Sequence, residues 1–175
     1  QIALSNLNRQ LVATYDAIGL PKVEEMRQRL LSINPSADIQ AICQRYDEDT
    51  SSQFTFDNYD YVIDAIDTLD NKALLIYQAT CSSATLFSSM GAGRKLDATR
   101  IRTTEFWKVS GCPLARALRN KMRKSGHIPQ KKFQCVYSDE ISSESGTIAP
   151  IVGVFGMYLS HLLIQDIIRK ANEQE

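Results

Sequence analysis

The chain has 175 residues, a length that suits one domain whose core needs neither disulfides nor a structural metal. Its 20 basic and 20 acidic residues cancel, which excludes a globally basic nucleic-acid-binding protein but allows a local basic patch. The four cysteines form no C-x-x-C pair, which argues against a zinc ribbon or a disulfide-rich scaffold and favours reduced thiols in the cytoplasm. Polar residues interrupt the longest apolar stretch, residues 148–168, so we expect no membrane association.

Apolar periodicity in the first half of the chain predicts alternating helices and strands. The predicted elements are a helix at residues 19–33, strands at 37–46 and 59–67, a helix at 70–83 and a strand at 84–93. Pro21 suits the first position of the first helix. The apolar run within residues 59–67 is nearly continuous, which is typical of a strand buried on both faces of a parallel sheet.

The second half of the chain differs from the first in its predicted basic helix and its long exposed loop. The predicted elements are a strand at residues 99–106, a basic helix at 113–124, a strand at 132–138, an exposed loop at 138–147 and a long terminal helix from 148. Gly153 and Gly156 in the last helix favour close packing. We predict one α/β domain over residues 1–175, with a Rossmann-like, doubly wound, mostly parallel sheet and an antiparallel extension in its second half.

Lys22 lies in the opening turn of the first predicted helix, close to the positive end of the helix dipole. Leu20, at the predicted cap position, cannot satisfy the free N–H groups of that turn with its side chain. Free N–H groups beside a lysine suit an anion, most often phosphate. The alternative is a lysine that simply extends into solvent.

Three carboxylates, those of Asp64, Asp67 and Asp70, lie at the end of the strand predicted at residues 59–67 and within the turn that follows it. Ligands of open α/β sheets bind beyond the carboxyl ends of the strands. Carboxylates there suit a magnesium ion that substrate phosphates also hold. The alternative is that Asp67 or Thr68 only caps the following helix.

The motif "SNLNRQ" at residues 5–10 concentrates polar groups near the start of the chain. Arg9 offers a planar fork suited to phosphate oxygens, and Asn6 and Gln10 could fix ribose or phosphate geometry. An arginine, a lysine and an aspartate on successive connections are the charges that a nucleoside triphosphate with its metal requires. Taken singly, each of these polar residues is more typical of a solvated segment.

Positive charge is concentrated on and after the basic helix. The residues are Arg116, Arg119, Arg123, Lys124, Lys131 and Lys132. Such a cluster could hold an RNA backbone, with salt-dependent affinity and little reading of base sequence. The alternative is a solvated helix face.

The motifs "SNLNRQ", "GLPK" and "VIDAID", in this order and spacing, resemble those of the adenylating family related to ubiquitin-activating enzymes. The resemblance implies a nucleotide-binding fold that uses ATP and Mg²⁺. It implies ATP contacts by Asn6, Arg9, Gln10 and Lys22, and a magnesium ligand in Asp67. Arg9, Lys22 and Asp67 are then the expected catalytic residues.

The segments "GCPLARALRNKMRKSG" and "FQCVYSDE" resemble one branch in particular, the tRNA threonylcarbamoyladenosine dehydratases. Lys72 in "DTLDNKALL" and the turn "MGAGRKLDATRI" are also similar, which adds Lys72 to the expected nucleotide-binding residues. The branch implies that ATP activates the carboxylate of a threonylcarbamoyl group on a tRNA adenosine, after which the ring closes and AMP leaves. It further implies tRNA, a homodimer and a cysteine desulfurase or sulfur-acceptor protein as partners.

Two alternatives remain open. One is adenylation of a ubiquitin-like sulfur-carrier protein, although the loop at residues 138–147 lacks the thiol that such enzymes often carry. The other is a non-catalytic binding module of the same fold.

The sequence departs from the family pattern at its start. Family members begin with a strand, a G-x-G-x-x-G turn, a helix and a second strand, and none of these precedes "QIALSNLNRQ". Gly91 and Gly93 come too late in the chain and do not open a predicted helix. We therefore expect the chain to start within the domain.

Overall fold

The computed structural model describes residues 1–173. Internal contacts divide the chain into two compact units, which we name unit 1 (Gln1–Arg45) and unit 2 (Tyr46–Glu175).

Unit 1 contains a closed loop followed by one helix. The backbone N–H of Ile2 donates to the carbonyl of Leu20 and the N–H of Gly19 donates to the carbonyl of Ile2, both at 2.9 Å. This reciprocal pair closes the loop and brings its two ends together. Gly19 has a φ of +89°, in the left-handed region that disfavours residues with a side chain. The helix, α1 (Lys22–Ile33), begins directly after the loop closes.

Two sequence predictions for unit 1 need correction. Pro21 is the residue before α1 and takes the cap position, so the helix begins one residue later than the sequence predicts. The strand predicted at residues 37–46 does not form. Exposure does alternate there, with Ile39 more shielded than its neighbours, as the apolar pattern requires. A strand also needs hydrogen bonds from a neighbouring strand, and the described residues of unit 1 supply none.

Unit 2 is built on a four-stranded sheet. Its strands are β1 (Tyr61–Asp64), β2 (Thr85–Ser89), β3 (Ile101–Glu105) and β4 (Gln134–Ser138). The strand order is β1-β2-β4-β3, in which β1, β2 and β4 are parallel and β3 is antiparallel to β4. This confirms the predicted α/β fold with a mostly parallel sheet and an antiparallel extension.

Helices cover both faces of the sheet. They are α2 (Leu69–Cys81), α3 (Pro113–Ser125) and α4 (Ala149–Asn172). Neighbouring residues of β2 join different cores: Leu86 packs in the cluster that contains residues of α2 and α3, and Phe87 packs in the cluster that contains residues of α4. Since successive side chains of a strand point to opposite faces, α2 and α3 form one outer layer and α4 forms the other.

The strand β1 is less buried than the sequence predicts. It lies at the edge of the described sheet, and Ile63 is 43% exposed while Val62 and Asp64 are buried. The predicted burial on both faces is therefore wrong. Successive side chains of a strand point to opposite faces of the sheet. When one of these faces is uncovered, buried and exposed side chains therefore alternate along the strand.

The helix α4 has a buried side and an open side. Ile151, Phe155 and Leu159 pack against the sheet. Gly153 and Gly156 lie on the open side, where an added methyl group would meet no atom, so the expected close packing at these glycines is absent from the described chain. By length and composition α4 could cross a membrane, but a single such helix is weak evidence for a membrane span.

Replacing Gly153 or Gly156 with Ala should raise the free energy of unfolding by about 0.5–1 kcal/mol each, because glycine is unfavourable by that amount inside a helix. Urea unfolding followed by circular dichroism measures the change. Gly111→Ala is the matched control and should destabilise, since its φ is +66° and the new Cβ would lie 3.0 Å from the carbonyl oxygen of Asp139. A loss of stability in the α4 variants would show that this side of the helix is covered in solution.

Candidate functional site

Asn6 organises the turn that carries the first motif. It is buried, and its side-chain oxygen accepts a hydrogen bond from the N–H of Ala3 at 3.0 Å. Its backbone carbonyl accepts from the N–H groups of Arg9 at 3.1 Å and Gln10 at 3.0 Å. Asn6 therefore sets the backbone from which Arg9 and Gln10 project, a structural task in addition to the nucleotide contact predicted for it.

The guanidinium of Arg9 is oriented by its own turn. Its Nη1 donates to the carbonyl of Ser5 at 2.7 Å and to Oδ1 of Asn8 at 3.0 Å. An arginine has five N–H donors, so this leaves most of the planar fork for a ligand. Arg9 forms no ion pair within residues 1–173, and its charge is therefore not neutralised by a described carboxylate.

Lys22 is the first residue of α1, and the helix start is uncapped, as the sequence predicts. Pro21 makes no side-chain cap, and the first helical hydrogen bond runs from the N–H of Glu25 to the carbonyl of Pro21. The three N–H groups before Glu25 therefore have no helical partner. The half-buried Lys22 has no ion-pair partner in the described chain. A phosphate group could accept from these donors.

The three predicted carboxylates after β1 have three different environments. Asp64 is fully buried, and Asp70 forms a surface ion pair with Lys121 at 2.7 Å. Asp67 is exposed and has no hydrogen bond or ion pair with any described residue. The carboxylates do not converge, and no cluster of three metal-ligating side chains exists within residues 1–173. Asp67 alone offers a free carboxylate to a ligand.

Asp64 and Lys72 form an ion pair in the interior of unit 2. Nζ of Lys72 lies 2.6 Å from Oδ2 of Asp64, and both side chains are 0% exposed. Nζ has no hydrogen bond of regular geometry with the described residues, so the contact is one of charge. Oδ2 of Asp64 also accepts from the hydroxyl of Ser88 at 2.6 Å, and Oδ1 accepts from the N–H of Ile66 at 3.1 Å.

The position of Lys72 differs from what its predicted role requires. The sequence places Lys72 among the nucleotide contacts, whereas the structure holds its ammonium away from the surface, against Asp64. A direct contact with ATP thus has no support from the geometry. The ammonium of Lys72 instead contacts Asp64, the last residue of the strand that precedes Asp67.

A polar row crosses the sheet beside this ion pair. Asp64 is in register with Ser88, and Ser88 is in register with Cys135. Burial raises the pKa of the Cys135 thiol well above its usual value, and the positive charge of Lys72 offsets only part of this. Cys135 therefore stays protonated at neutral pH and is a poor nucleophile.

The predicted basic cluster divides into residues engaged in the fold and residues open to solvent. Nη1 of Arg119 donates to the carbonyls of Phe106 at 3.1 Å and Val109 at 2.9 Å, and Nζ of Lys131 donates to the carbonyl of Ser82. These two side chains are therefore less available to RNA than the sequence suggests. Lys131 is nevertheless exposed, as are Arg116, Arg123, Lys124 and Lys132, which make no such bond to a backbone carbonyl.

One exposed arginine lies beside an aromatic ring. The guanidinium of Arg123 is 5.5 Å from the ring centroid of Trp107, which is itself 36% exposed. An arginine and an aromatic ring together suit unpaired nucleobases as well as phosphates.

The sequence matches the ThiF family over residues 1–175. The chain belongs to the ThiF family. It is 39% identical over 139 residues to a tRNA threonylcarbamoyladenosine dehydratase of Bacillus subtilis, an alignment that covers 79% of this chain and 54% of the relative. It is 34% identical over 144 residues to the dehydratase of Escherichia coli, with 79% of this chain and 54% of that protein covered.

A solved structure of this ThiF branch has the same fold. The Escherichia coli tRNA N6-threonylcarbamoyladenosine dehydratase in complex with ATP superimposes with a TM-score of 0.91 at 29% identity, covering 100% of this chain and 75% of that one. The ThiF-family chain described here spans about half the length of the curated relatives it matches.

Sequence reasoning missed Ser88 and the distinct role of Asp64. The available signal was polar character in apolar surroundings: Ser88 follows Leu86 and Phe87 in β2, and Lys72 precedes the buried residues of α2. A lysine on the buried side of a helix requires a buried anion as partner. The nearest candidates in the sequence are Asp64 and Asp67, at the end of the strand predicted at residues 59–67.

Lys72→Met should lower the free energy of unfolding by about 3–5 kcal/mol, because it leaves the Asp64 charge buried and unpaired. Adding Asp64→Asn should recover part of the loss, since no unpaired charge then remains. Urea unfolding of both variants measures the coupling. The control Lys121→Ala, which breaks the exposed pair with Asp70, should cost no more than about 1 kcal/mol. A similarly small effect of Lys72→Met would contradict the buried pair.

Proposed function

We propose that this chain carries the ATP-binding part of an ATP-dependent dehydratase that adenylates threonylcarbamoyladenosine in tRNA and cyclises it with release of AMP. The observation that carries the proposal is the likeness to dehydratases over four-fifths of the chain, at up to 39% identity and a TM-score of 0.91. The free charged groups of Arg9, Lys22 and Asp67 support it, because these are the groups that the reaction would use.

The two cations would serve the phosphates of ATP. Arg9 would place its planar fork on phosphate oxygens, and Lys22 would add a point charge next to the free N–H groups of α1. Asn6 and Gln10 would hold the turn and contact the nucleotide. The charge that develops at the α-phosphate in the transition state is the feature that these donors stabilise.

Asp67 would hold Mg²⁺. Its exposed, unpaired carboxylate fits this task, since magnesium binds oxygen ligands and is usually shared between one or two carboxylates and substrate phosphates. The bound ion would offset negative charge on the phosphate oxygens.

The chemistry requires no nucleophile from the protein. The substrate carboxylate attacks the α-phosphorus and pyrophosphate leaves, which gives an acyl-adenylate. The carbamoyl group of the same substrate then attacks the activated carbon, and AMP departs with the former carboxylate oxygen. The nucleoside thus loses one water in total. The buried, protonated Cys135 agrees with a mechanism that needs no catalytic thiolate.

The further partners follow from the same branch. We propose tRNA as the substrate, held partly by the exposed basic residues on and after α3. We also propose a homodimer in the cytoplasm. A cysteine desulfurase or sulfur-acceptor protein is the remaining proposed partner.

Incubation of the purified protein with ATP, Mg²⁺ and tRNA bearing threonylcarbamoyladenosine should release AMP and give a nucleoside lighter by one water. Arg9→Ala, Lys22→Ala and Asp67→Asn should each lower the rate by about 10²-fold or more, because each removes one charge from the transition state. Liquid chromatography with mass spectrometry of the digested tRNA measures the product. Arg29→Ala, an exposed arginine of α1, is the control and should keep activity.

Other outcomes would favour the alternatives. Adenylation that depends on a sulfur-carrier protein and not on tRNA would indicate the sulfur-carrier function. Absence of ATP binding would indicate a non-catalytic module.

The triple variant Arg116→Ala, Arg123→Ala, Lys124→Ala should bind tRNA more weakly. Its slope of log affinity against log salt should be shallower by up to about 2.7, because each of the three lost phosphate contacts removes roughly 0.7–0.9 from the slope. Fluorescence anisotropy at several salt concentrations measures both quantities.

Two single variants separate RNA binding from stability. Arg119→Ala should lower stability, since it frees the carbonyls of Phe106 and Val109, and it should change the salt slope less than the triple variant does. Arg29→Ala should change neither quantity. An unchanged slope in the triple variant would remove α3 from the RNA-binding surface.

A further inference from the structure

The turn between β1 and α2 is held at both of its ends by one buried group. Asp64 is the last residue of β1, and its Oδ1 accepts from the N–H of Ile66 inside the turn at 3.1 Å. Its Oδ2 contacts Nζ of Lys72 in α2 and the hydroxyl of Ser88 in β2, both at 2.6 Å. One carboxylate thus links β1, the turn, α2 and β2.

Asp67 lies in the middle of this turn, and its side chain has no hydrogen bond or ion pair within residues 1–173. Ligating carboxylates are usually oriented by hydrogen bonds from surrounding groups, and here those are lacking. The place of the Asp67 carboxylate therefore depends on the backbone of residues 65–68. That backbone is fixed by the contact of Ile66 with Asp64, and by the bond from the N–H of Lys72 to the carbonyl of Thr68 at 2.9 Å.

Stability alone does not account for a buried pair at this place. A buried ion pair is often no more stable than apolar residues of similar volume, because both charges lose their hydration. The core cluster on this side of the sheet, which includes Val62, Leu86 and Ile76, is apolar and would accept an apolar replacement. What an apolar pair could not supply is an acceptor for the N–H of Ile66.

We propose that Asp64, Lys72 and Ser88 are positioning residues that fix the turn at residues 65–68 and so hold the Asp67 carboxylate in place for Mg²⁺. Lys72 and Ser88 together hold Oδ2 of Asp64 in one orientation, and Oδ1 is thereby aimed at the N–H of Ile66. This inference rests on the proposed function, in which Asp67 binds magnesium with ATP.

The test is the Mg²⁺ concentration that gives half-maximal ATP binding, measured by equilibrium dialysis with labelled ATP on the full protein. Asp67→Asn gives the effect of losing the ligand itself. Ser88→Ala and Lys72→Met should each raise the half-maximal Mg²⁺ concentration about tenfold or more, as loss of orienting groups does at metal sites. ATP binding without Mg²⁺ should stay unchanged in Ser88→Ala. Ser88→Ala removes one hydrogen bond only, so it keeps the test valid if Lys72→Met folds poorly.

Ser82→Ala is the matched control. Ser82 is also buried and hydrogen-bonded, but it lies at the other end of α2, after Cys81. Its replacement makes the same chemical change and should leave the Mg²⁺ dependence as in the wild type.

The outcomes separate this proposal from the proposed function. A shift in Asp67→Asn with wild-type Mg²⁺ dependence in Ser88→Ala and Lys72→Met would overturn the positioning role and leave the function intact. A loss of ATP binding in equal proportion at every Mg²⁺ concentration would show a merely structural role and would also overturn it. An unchanged Mg²⁺ dependence in Asp67→Asn would refute magnesium binding by Asp67, and the positioning role would fall with it.

Discussion

The buried contact between Lys72 and Asp64 is the constraint on which unit 2 is organised. Neither charge reaches solvent, and their separation is 2.6 Å. Such a pair is tolerated only when the remaining oxygen positions of the carboxylate are used, and here Ser88 and Ile66 use them. Because the four groups belong to β1, β2, α2 and the turn between them, none of these elements can shift without exposing an unpaired charge. The strand end and the helix start are thus fixed relative to each other.

The same contact explains why two aspartates three residues apart have opposite properties. Asp64 is surrounded by donors, and Asp67 has none within the described chain. A carboxylate that is already neutralised cannot bind a cation strongly, whereas an unpaired one can. In unit 1, Arg9 and Lys22 likewise keep unpaired charge, while Asn6 is used by the backbone. In both units, buried polar groups shape the turn, and charges without an ion-pair partner in the described chain remain for ligands.

The sequence predicted the helices and parallel strands of unit 2 well, because their apolar periodicity is strong and local. It could not distinguish Asp64 from Asp67, because the difference is made by Lys72 and Ser88. Neither residue is adjacent to the aspartates in sequence, and only the fold brings both to Asp64. It also could not distinguish Arg119 from Arg123, because only the position of neighbouring carbonyls decides which guanidinium is free. The strand predicted at residues 37–46 is absent for a related reason. The alternation of apolar residues is visible in the local sequence, but the presence of a neighbouring strand to hydrogen-bond with is not.

The polar row at the carboxyl end of the strands shows how a parallel sheet can tolerate polar groups next to its core. Val62 and Leu86, two residues earlier in their strands, are buried and apolar, and Asp64 and Ser88 follow them on the same face. Parallel strands bring their carboxyl ends to one edge, so polar residues at equivalent positions of neighbouring strands satisfy each other there. Moving the polar pair two residues earlier would bury it under α2 without the turn N–H of Ile66 as a donor. Asp64 and Ser88 therefore lie at the end of their strands, where the N–H of Ile66 in the turn can donate to the buried carboxylate.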